Sequence, residues 1–106
     1  MLLDPALSRV TAPARADAEV AVGILSRYAG VRRIWLFGSL GKGREPDFRS
    51  DIDLAVEGLP AEQHLSVLAL LDEALRFPPD LVRWEKADAV LRAEIERWGI
   101  VLYERT

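Results

Sequence analysis

Two acidic residues and a Gly-Ser pair stand at a spacing that could hold a metal–nucleotide complex. One apolar run ends at Gly38 and Ser39, and after eleven further residues a second apolar run opens with Asp51 and Asp53. Because successive side chains of a β-strand point to opposite faces, both carboxylates are predicted to share one face, with Cα atoms about 6.5–7 Å apart. Two neighbouring carboxylates repel each other, and one tends to stay protonated. A divalent cation between them would remove that conflict.

The Gly38-Ser39 turn carries groups that complement phosphate. Small residues in a turn leave backbone N–H groups free to point at phosphate oxygens, and the serine adds a hydroxyl. Such a turn at the end of one apolar strand, with an acid pair at the start of the next, would bind the phosphates and the metal of one nucleotide. The residues therefore predict a site for a metal–nucleotide complex.

The whole motif resembles that of a known enzyme superfamily. It runs from Phe37-Gly38-Ser39 to residues 50–56, which read Ser-Asp-Ile-Asp-Leu-Ala-Val. This pattern is similar to the signature of the nucleotidyltransferases that include DNA polymerase β, above all the small stand-alone members called minimal nucleotidyltransferases, or MNT proteins. The resemblance extends over residues 31–104. It implies an α/β fold in which a small mixed β-sheet is flanked by helices, as in the polymerase β-like nucleotidyltransferase core.

The resemblance implies a metal site made of three catalytic acids. Asp51 and Asp53 would bind two Mg²⁺ ions, which Mn²⁺ could replace. Asp80 would be the third ligand, because MNT proteins carry one at the start of an Asp-Leu-Val strand. From its position alone, Asp80 would be interpreted as an ordinary turn residue, since it follows two prolines, and the match to the motif favours the metal ligand instead.

The resemblance also implies how ATP, the expected substrate, would be held. Gly38 and Ser39 would bind its β- and γ-phosphates. Lys42 matches one of two basic positions typical of MNT proteins and is a candidate nucleotide-binding residue, whereas Leu40 stands where the other basic residue is usual. Two arginines of the same loop could reach the phosphates or the acceptor, or could simply face solvent: Arg44 and Arg49.

The activity that the resemblance implies is transfer of AMP from ATP to a protein hydroxyl. MNT proteins are typically paired with a HEPN-domain protein, a helical RNase toxin, and act as its MntA-type antitoxin by transferring AMP to a tyrosine of the toxin. A hetero-oligomer with such a toxin is therefore expected. The alternative is a non-catalytic antitoxin that neutralises its partner by binding alone.

The composition limits the class of protein. A chain of 106 residues allows one domain, predicted to span residues 1–106. A net charge of −3 argues against direct nucleic-acid binding. The absence of cysteine excludes disulfides and thiolate metal sites. Because the sequence has neither a signal peptide nor an apolar run of about 20 residues, we expect a cytoplasmic protein with no membrane association.

The periodicity of apolar residues predicts the order αββαβαβ. Helices are predicted at 13–28, 61–76 and 87–98, and strands at 31–37, 51–56, 81–84 and 100–103. Residues 40–50 are predicted to form a loop or a short helical turn. The helix at 61–76 has a wide apolar face, which predicts packing against the sheet or against a partner.

Some further residues are interpreted as structural. The only histidine, His64, lies near the start of a predicted helix and is expected to be an exposed structural residue rather than part of a catalytic triad. Three tryptophans occur in strand or helix patterns and are expected to be core residues: Trp35, Trp84 and Trp98.

Overall fold

A four-stranded mixed sheet organises the chain. The computed structural model describes residues 4–105. The strands are β1 (Arg33–Phe37), β2 (Ile52–Glu57), β3 (Pro79–Arg83) and β4 (Ile100–Glu104). They lie in the order β3-β2-β1-β4, with β1 antiparallel to β2 and β4, and β2 parallel to β3.

Helices cover both faces of the sheet. They are α1 (Ala12–Leu25), the short α2 (Gly38–Gly41), α3 (His64–Ala74) and α4 (Ala89–Trp98). Apolar residues of α1 and α3 form the main core with one face, and Leu91 and Ile95 of α4 pack on the other. The predicted fold class, a small mixed sheet flanked by helices, is confirmed. No helix within residues 4–105 combines the length and the hydrophobicity that a bilayer crossing requires.

The element boundaries differ from the predicted ones by a few residues, for local reasons. The helix predicted from residue 61 opens with the 3₁₀ turn Ala61–Gln63, and α3 begins at His64. α4 begins at Ala89, since the side chain of Asp88 caps it by accepting a hydrogen bond from the Leu91 N–H. β3 already begins at Pro79, which is tolerated because β3 is an edge strand and this residue has no N–H to donate.

The tryptophans were predicted to be core residues, and one of these predictions is wrong. Trp35 is buried, and the half-buried Trp84 stacks on it with ring centroids 4.9 Å apart. Trp98, the last residue of α4, is 44% exposed. Its ring lies beside two cations instead, the ammonium of Lys42 at 5.5 Å and the guanidinium of Arg97 at 5.2 Å. Cation–π contacts of this kind favour a partly exposed aromatic ring.

The apolar face of α3 is used mainly inside the fold. Val67 and Leu71 are buried in the main core, and so is Leu75 just after the helix. Leu70 and Leu65 are exposed, the latter at 77%. The wide face is therefore explained mostly by packing against the sheet and α1, and two leucines remain on the surface.

Asp17 is a buried carboxylate that anchors the approach to β3. It lies on the buried stripe of α1 and is only 5% exposed. The backbone N–H groups of Arg76 and Phe77 donate to its two oxygens at 2.9 and 2.8 Å. These residues lead directly into Pro79 and Asp80. Asp17 thus fixes the path of the chain just ahead of a predicted site residue.

We expect Asp17→Asn to destabilise the protein by about 2 kcal/mol, because the amide can accept from one N–H group and meets the other with its own NH₂ donor. For a domain of this size, the melting temperature should fall by roughly 10 °C. Urea and thermal unfolding measure the change. The matched control is Glu19→Gln, an exposed acid on the same helix. A stability within about 0.5 kcal/mol of wild type would contradict the anchoring role.

Candidate functional site

The three predicted acids are brought to the same end of β2 and β3. In the parallel register of these strands, Asp53 is the partner of Asp80. Asp51 precedes β2 and stands two residues before Asp53, and both Asp51 and Asp80 are exposed. The intervening Ile52 and Leu54 are fully buried in the main core. The predicted alternation along this segment is confirmed: its apolar side chains point into the core and its acids to the other face.

The charge of Asp53 is unbalanced. Burial, the negative charges of Asp80 and Asp51, and a side-chain hydrogen bond with Asp80 together raise the pKa of the Asp53 carboxyl from its usual 3.8 to about 6. None of the ion pairs between residues 4 and 105 involves these three acids. A proton or a cation bound at Asp53 would relieve this repulsion.

The carboxylates of these three acids are the type of ligand that a hard cation binds. Carboxylate oxygens are the protein ligands that Mg²⁺ and Mn²⁺ prefer, and a cation would relieve the repulsion that raises the pKa of Asp53. Among residues 4–105, no three His, Cys, Asp or Glu side chains lie close enough together, as placed, to hold a metal ion. The candidate metal ligands predicted from the sequence are Asp51, Asp53 and Asp80.

Gly38 lies directly against the Asp53 carboxylate. Phe37, the last residue of β1, is the register partner of Asp53, so the turn that follows β1 passes over that side chain. Gly38 has a φ of +73°, and a Cβ built on it would be 2.0 Å from Oδ2 of Asp53. Both the left-handed backbone and the lack of space require glycine at this position. The Gly-Ser turn and the acid pair are therefore neighbours, as the motif predicts.

The remaining predicted phosphate-binding residues lie on α2 and just after it. Ser39 is half-buried, and its carbonyl accepts the N–H groups of Lys42 and Arg44, which fixes the turn at the end of α2. Lys42 is exposed, with its ammonium over the ring of Trp98. Leu40, which replaces the basic residue usual in MNT proteins, is buried in the main core. At this position the chain uses the side chain for packing rather than for binding.

The two loop arginines are not drawn toward the acids by any contact between described residues. Arg49 packs over the ring of its neighbour Phe48 at 5.4 Å and lies 3.9 Å from Asp47. Arg44 is exposed. Both arginines therefore match the alternative in which they simply face solvent.

One acid near the site was not identified from the sequence. The charge of Glu94, on α4, contributes to the raised pKa of Asp53. Glu94 lies one turn after Val90 and one turn before Trp98, so these exposed side chains form one stripe along α4. The sequence gave little indication of this role, because Glu94 lies in a helix whose other residues suggested packing. Its effect on Asp53 depends on how α4 crosses the sheet.

We expect Asp53→Asn to stabilise the metal-free protein at neutral and higher pH. A carboxyl whose pKa is raised in the folded state binds protons more tightly there, so stability falls as the pH rises from about 4 to about 6 and stays reduced above it. One pKa unit corresponds to about 1.4 kcal/mol. Since Asp53 is half-exposed, solvent screening reduces the gain to about 1 kcal/mol, or a rise in melting temperature of roughly 4–8 °C.

Thermal unfolding in EDTA at about pH 8 and about pH 4 measures this difference, with Asp72→Asn on α3 as the exposed control. The gain should disappear at the lower pH, where the Asp53 carboxyl is already protonated in the folded state. An Asp53→Asn variant that is less stable than wild type at both pH values would contradict the unbalanced charge.

Several solved structures are similar to this chain, including the following three. A toxin–antitoxin with AMP-PNP has 27% identity over 84% of this chain and 74% of that one, with a TM-score of 0.74. A minimal nucleotidyltransferase has 28% identity over 81% and 89% of the two chains, with a TM-score of 0.67. A tri-AMPylated HEPN toxin in complex with MNT antitoxin from Shewanella oneidensis has 23% identity over 87% and 73%, with a TM-score of 0.68, and supports the fold alone.

The family assignment comes from the sequence profile. No curated protein matches the chain significantly. The profile described as "Polymerase beta, Nucleotidyltransferase" matches residues 19–106, which is more than half of the chain. The resemblance noted in the motif is thereby confirmed, and the structural neighbours are MNT and toxin–antitoxin proteins. The chain belongs to the polymerase beta nucleotidyltransferase family.

Proposed function

We propose that this protein is a metal-dependent nucleotidyltransferase that transfers AMP from ATP to a hydroxyl of a partner protein. The observation that carries the proposal is the juxtaposition of Gly38, Asp53 and Asp80 at one end of β1, β2 and β3. A phosphate-binding turn that touches an unbalanced acid pair is the arrangement needed to hold a metal–triphosphate. The choice of ATP is supported by the similar toxin–antitoxin with AMP-PNP.

The nucleotide would be held by α2 and by the acids. Backbone N–H groups of Gly38 and Ser39, with the serine hydroxyl, would donate to the β- and γ-phosphates. Lys42, whose ammonium lies over the Trp98 ring, would turn its flexible side chain toward a phosphate oxygen. Asp51, Asp53 and Asp80 would hold two Mg²⁺ ions, which when bound neutralise phosphate charge and favour ionisation of the attacking hydroxyl.

Asp53 and Asp80 would act on different substrates, the nucleotide and the acceptor. Asp53 is central, since it adjoins both the Gly-Ser turn and Asp80. Asp80, on the outer strand of the sheet, would orient the acceptor hydroxyl toward the α-phosphorus. The acceptor oxygen forms a bond to the α-phosphorus, the bond to the bridging oxygen breaks, pyrophosphate leaves, and the hydroxyl proton passes to solvent.

We further propose that the acceptor is a HEPN-domain toxin and that this chain is its antitoxin. Two of the similar structures are toxin–antitoxin assemblies. A tri-AMPylated toxin is the product that this reaction would yield, although the complex that contains it supports only the fold of this chain. A reaction that consumes ATP, in a chain without cysteine, also fits the cytoplasm.

Intact mass analysis tests the reaction and the acceptor together. The protein and the product of the neighbouring gene are co-expressed, purified as a hetero-oligomer, and incubated with ATP and Mg²⁺. We expect the partner to gain mass in units of AMP, and Asp51→Asn to abolish the gain. Neutralisation of the partner with no mass gain, unchanged by Asp51→Asn, would indicate the non-catalytic antitoxin. Failure to form any complex would remove the toxin–antitoxin assignment.

A further inference from the structure

A cavity of about 460 Å³ lies beside β3, the strand that begins next to Asp80. Its lining includes Leu81, Val82 and Arg83 of this strand, together with His64 of α3 and Lys86 from the turn after β3. Because β3 pairs only with β2 within the described residues, its outer edge opens onto this space. A chain that occupied the cavity would therefore run alongside the strand that carries a predicted catalytic acid.

The lining of the cavity has more cations than carboxylates, in a protein whose net charge is −3. Arg83 and Lys86 contribute two cations, whereas Asp88 is the single carboxylate in its lining. Arg83 uses its Nε to donate to the Leu59 carbonyl, and none of the ion pairs between residues 4 and 105 involves Arg83 or Lys86. Asp88 is held at the start of α4, where it accepts a hydrogen bond from the Leu91 N–H. Two cations against one carboxylate leave the lining with an excess of one positive charge.

The outer edge of β3 is partly capped. The Ile52 N–H donates to the Pro78 carbonyl, so in this register the backbone groups of Asp80 and Val82 face β2 and those of Leu81 face outward. The outward carbonyl of Leu81 accepts from Nε2 of His64 at 2.9 Å. Pro79 has no N–H to offer, so the edge is shielded against indiscriminate strand pairing. A chain that binds here must then be recognised through its side chains rather than through backbone pairing.

We infer that this cavity binds an extended, acidic segment of the acceptor protein and so selects which hydroxyl is presented at Asp80. The inference rests on the proposed function, since the acceptor oxygen must come to the exposed Asp80, one residue before the cavity begins. Carboxylates flanking the acceptor residue would pair with Arg83 and Lys86. Charge complementarity of this kind serves specificity more than affinity.

Two short peptides test the inference by binding alone. Each has a central tyrosine, flanked by glutamates in one and by lysines in the other. We expect the glutamate peptide to bind the full-length protein about tenfold more tightly, with the largest amide shifts in NMR titrations at Leu81, Arg83 and Lys86. Equal binding of both peptides, or shifts confined to other parts of the chain, would overturn the inference.

Charge reversal provides the matched comparison. Lys86→Glu should remove the preference for glutamate in binding and raise the KM for the acceptor about tenfold without changing the KM for ATP. Arg27→Glu, an equal charge change at an exposed position after α1, should leave both unaltered. If the protein selects the glutamate peptide but transfers no AMP, the proposed function fails and the cavity assignment stands. If AMP is transferred to the partner and Lys86→Glu does not change the KM for that acceptor, the proposed function stands and the cavity assignment fails.

Discussion

Replacing Asp80 by asparagine is expected to lower the rate of AMP transfer by about 10²–10³-fold while leaving the affinity for ATP nearly unchanged. Asp80 stands opposite Asp53 on the outer strand, away from the Gly-Ser turn that would hold the triphosphate. The asparagine keeps the shape of the side chain and removes the charge that would act on the acceptor side. An interaction made mainly in the transition state lowers kcat without raising KM.

The matched comparison is Asp51→Asn. If Asp51 and Asp53 hold the metal that arrives with the triphosphate, this variant should weaken ATP binding and slow transfer together. ATP binding by the wild type should likewise require Mg²⁺ or Mn²⁺ and be lost in EDTA. Asp72→Asn, an exposed acid on α3, controls for a general change in surface charge.

Paired calorimetry of ATP binding and single-turnover transfer separate these roles. The metal dependence would be wrong if ATP bound equally tightly in EDTA. Near-wild-type transfer by Asp80→Asn would instead remove this residue from the catalytic site. Asp80 would then be an ordinary residue following the two prolines, which is the other interpretation that its position in the sequence allowed.

The part of the site that could be predicted from sequence is the part determined by local periodicity. Alternation along β2 is a property of any strand, so the separation of Asp51 and Asp53 from the buried Ile52 and Leu54 follows from the residue order. Glycine at position 38 is needed partly for its positive φ, which is a local property of the turn. The second reason is that the Asp53 carboxylate leaves no space for a side chain, and this depends on the pairing of β1 with β2.

Features that depend on tertiary placement could not be predicted in this way. Leu40 departs from the MNT pattern because its side chain belongs to the core. Glu94 influences Asp53 only because α4 crosses the second face of the sheet. Trp98 is a large aromatic residue of the kind usually found in a core, but it lies at an exposed helix end. Asp17 did leave a signal, as a charged residue on an otherwise apolar helical stripe between Ala14 and Ala21.

Gly38→Ala is expected to reduce AMP transfer by at least about 10²-fold, through displacement of the Asp53 carboxylate. The new Cβ would lie 2.0 Å from Oδ2 and 2.8 Å from Cγ of Asp53, closer than atoms can approach. The Asp53 side chain must therefore move, or the turn must leave the sheet. The backbone at φ +73° adds strain of about 1 kcal/mol for alanine. Together these effects should cost about 2–3 kcal/mol of stability.

Gly23→Ala is the control for the same change of residue type. Gly23 lies within α1, and a Cβ added there would meet no atom within 4 Å. Alanine should therefore stabilise the helix by roughly 0.5–1 kcal/mol and leave transfer unchanged. Opposite effects of one substitution at two glycines would show that the loss at position 38 comes from its surroundings rather than from the added methyl group.

A double-mutant cycle with Asp53→Ala identifies those surroundings. The three atoms nearest to the new methyl group all belong to Asp53, and of these alanine keeps only the Cβ, at 3.1 Å. The stability cost of Gly38→Ala should then shrink to the backbone strain of about 1 kcal/mol, because the two residues are coupled through the clash. Urea unfolding of the four proteins gives the coupling energy. An equal cost of Gly38→Ala in both backgrounds would mean that the Gly-Ser turn does not rest on the Asp53 carboxylate, and the geometry on which the proposed nucleotide site depends would be wrong.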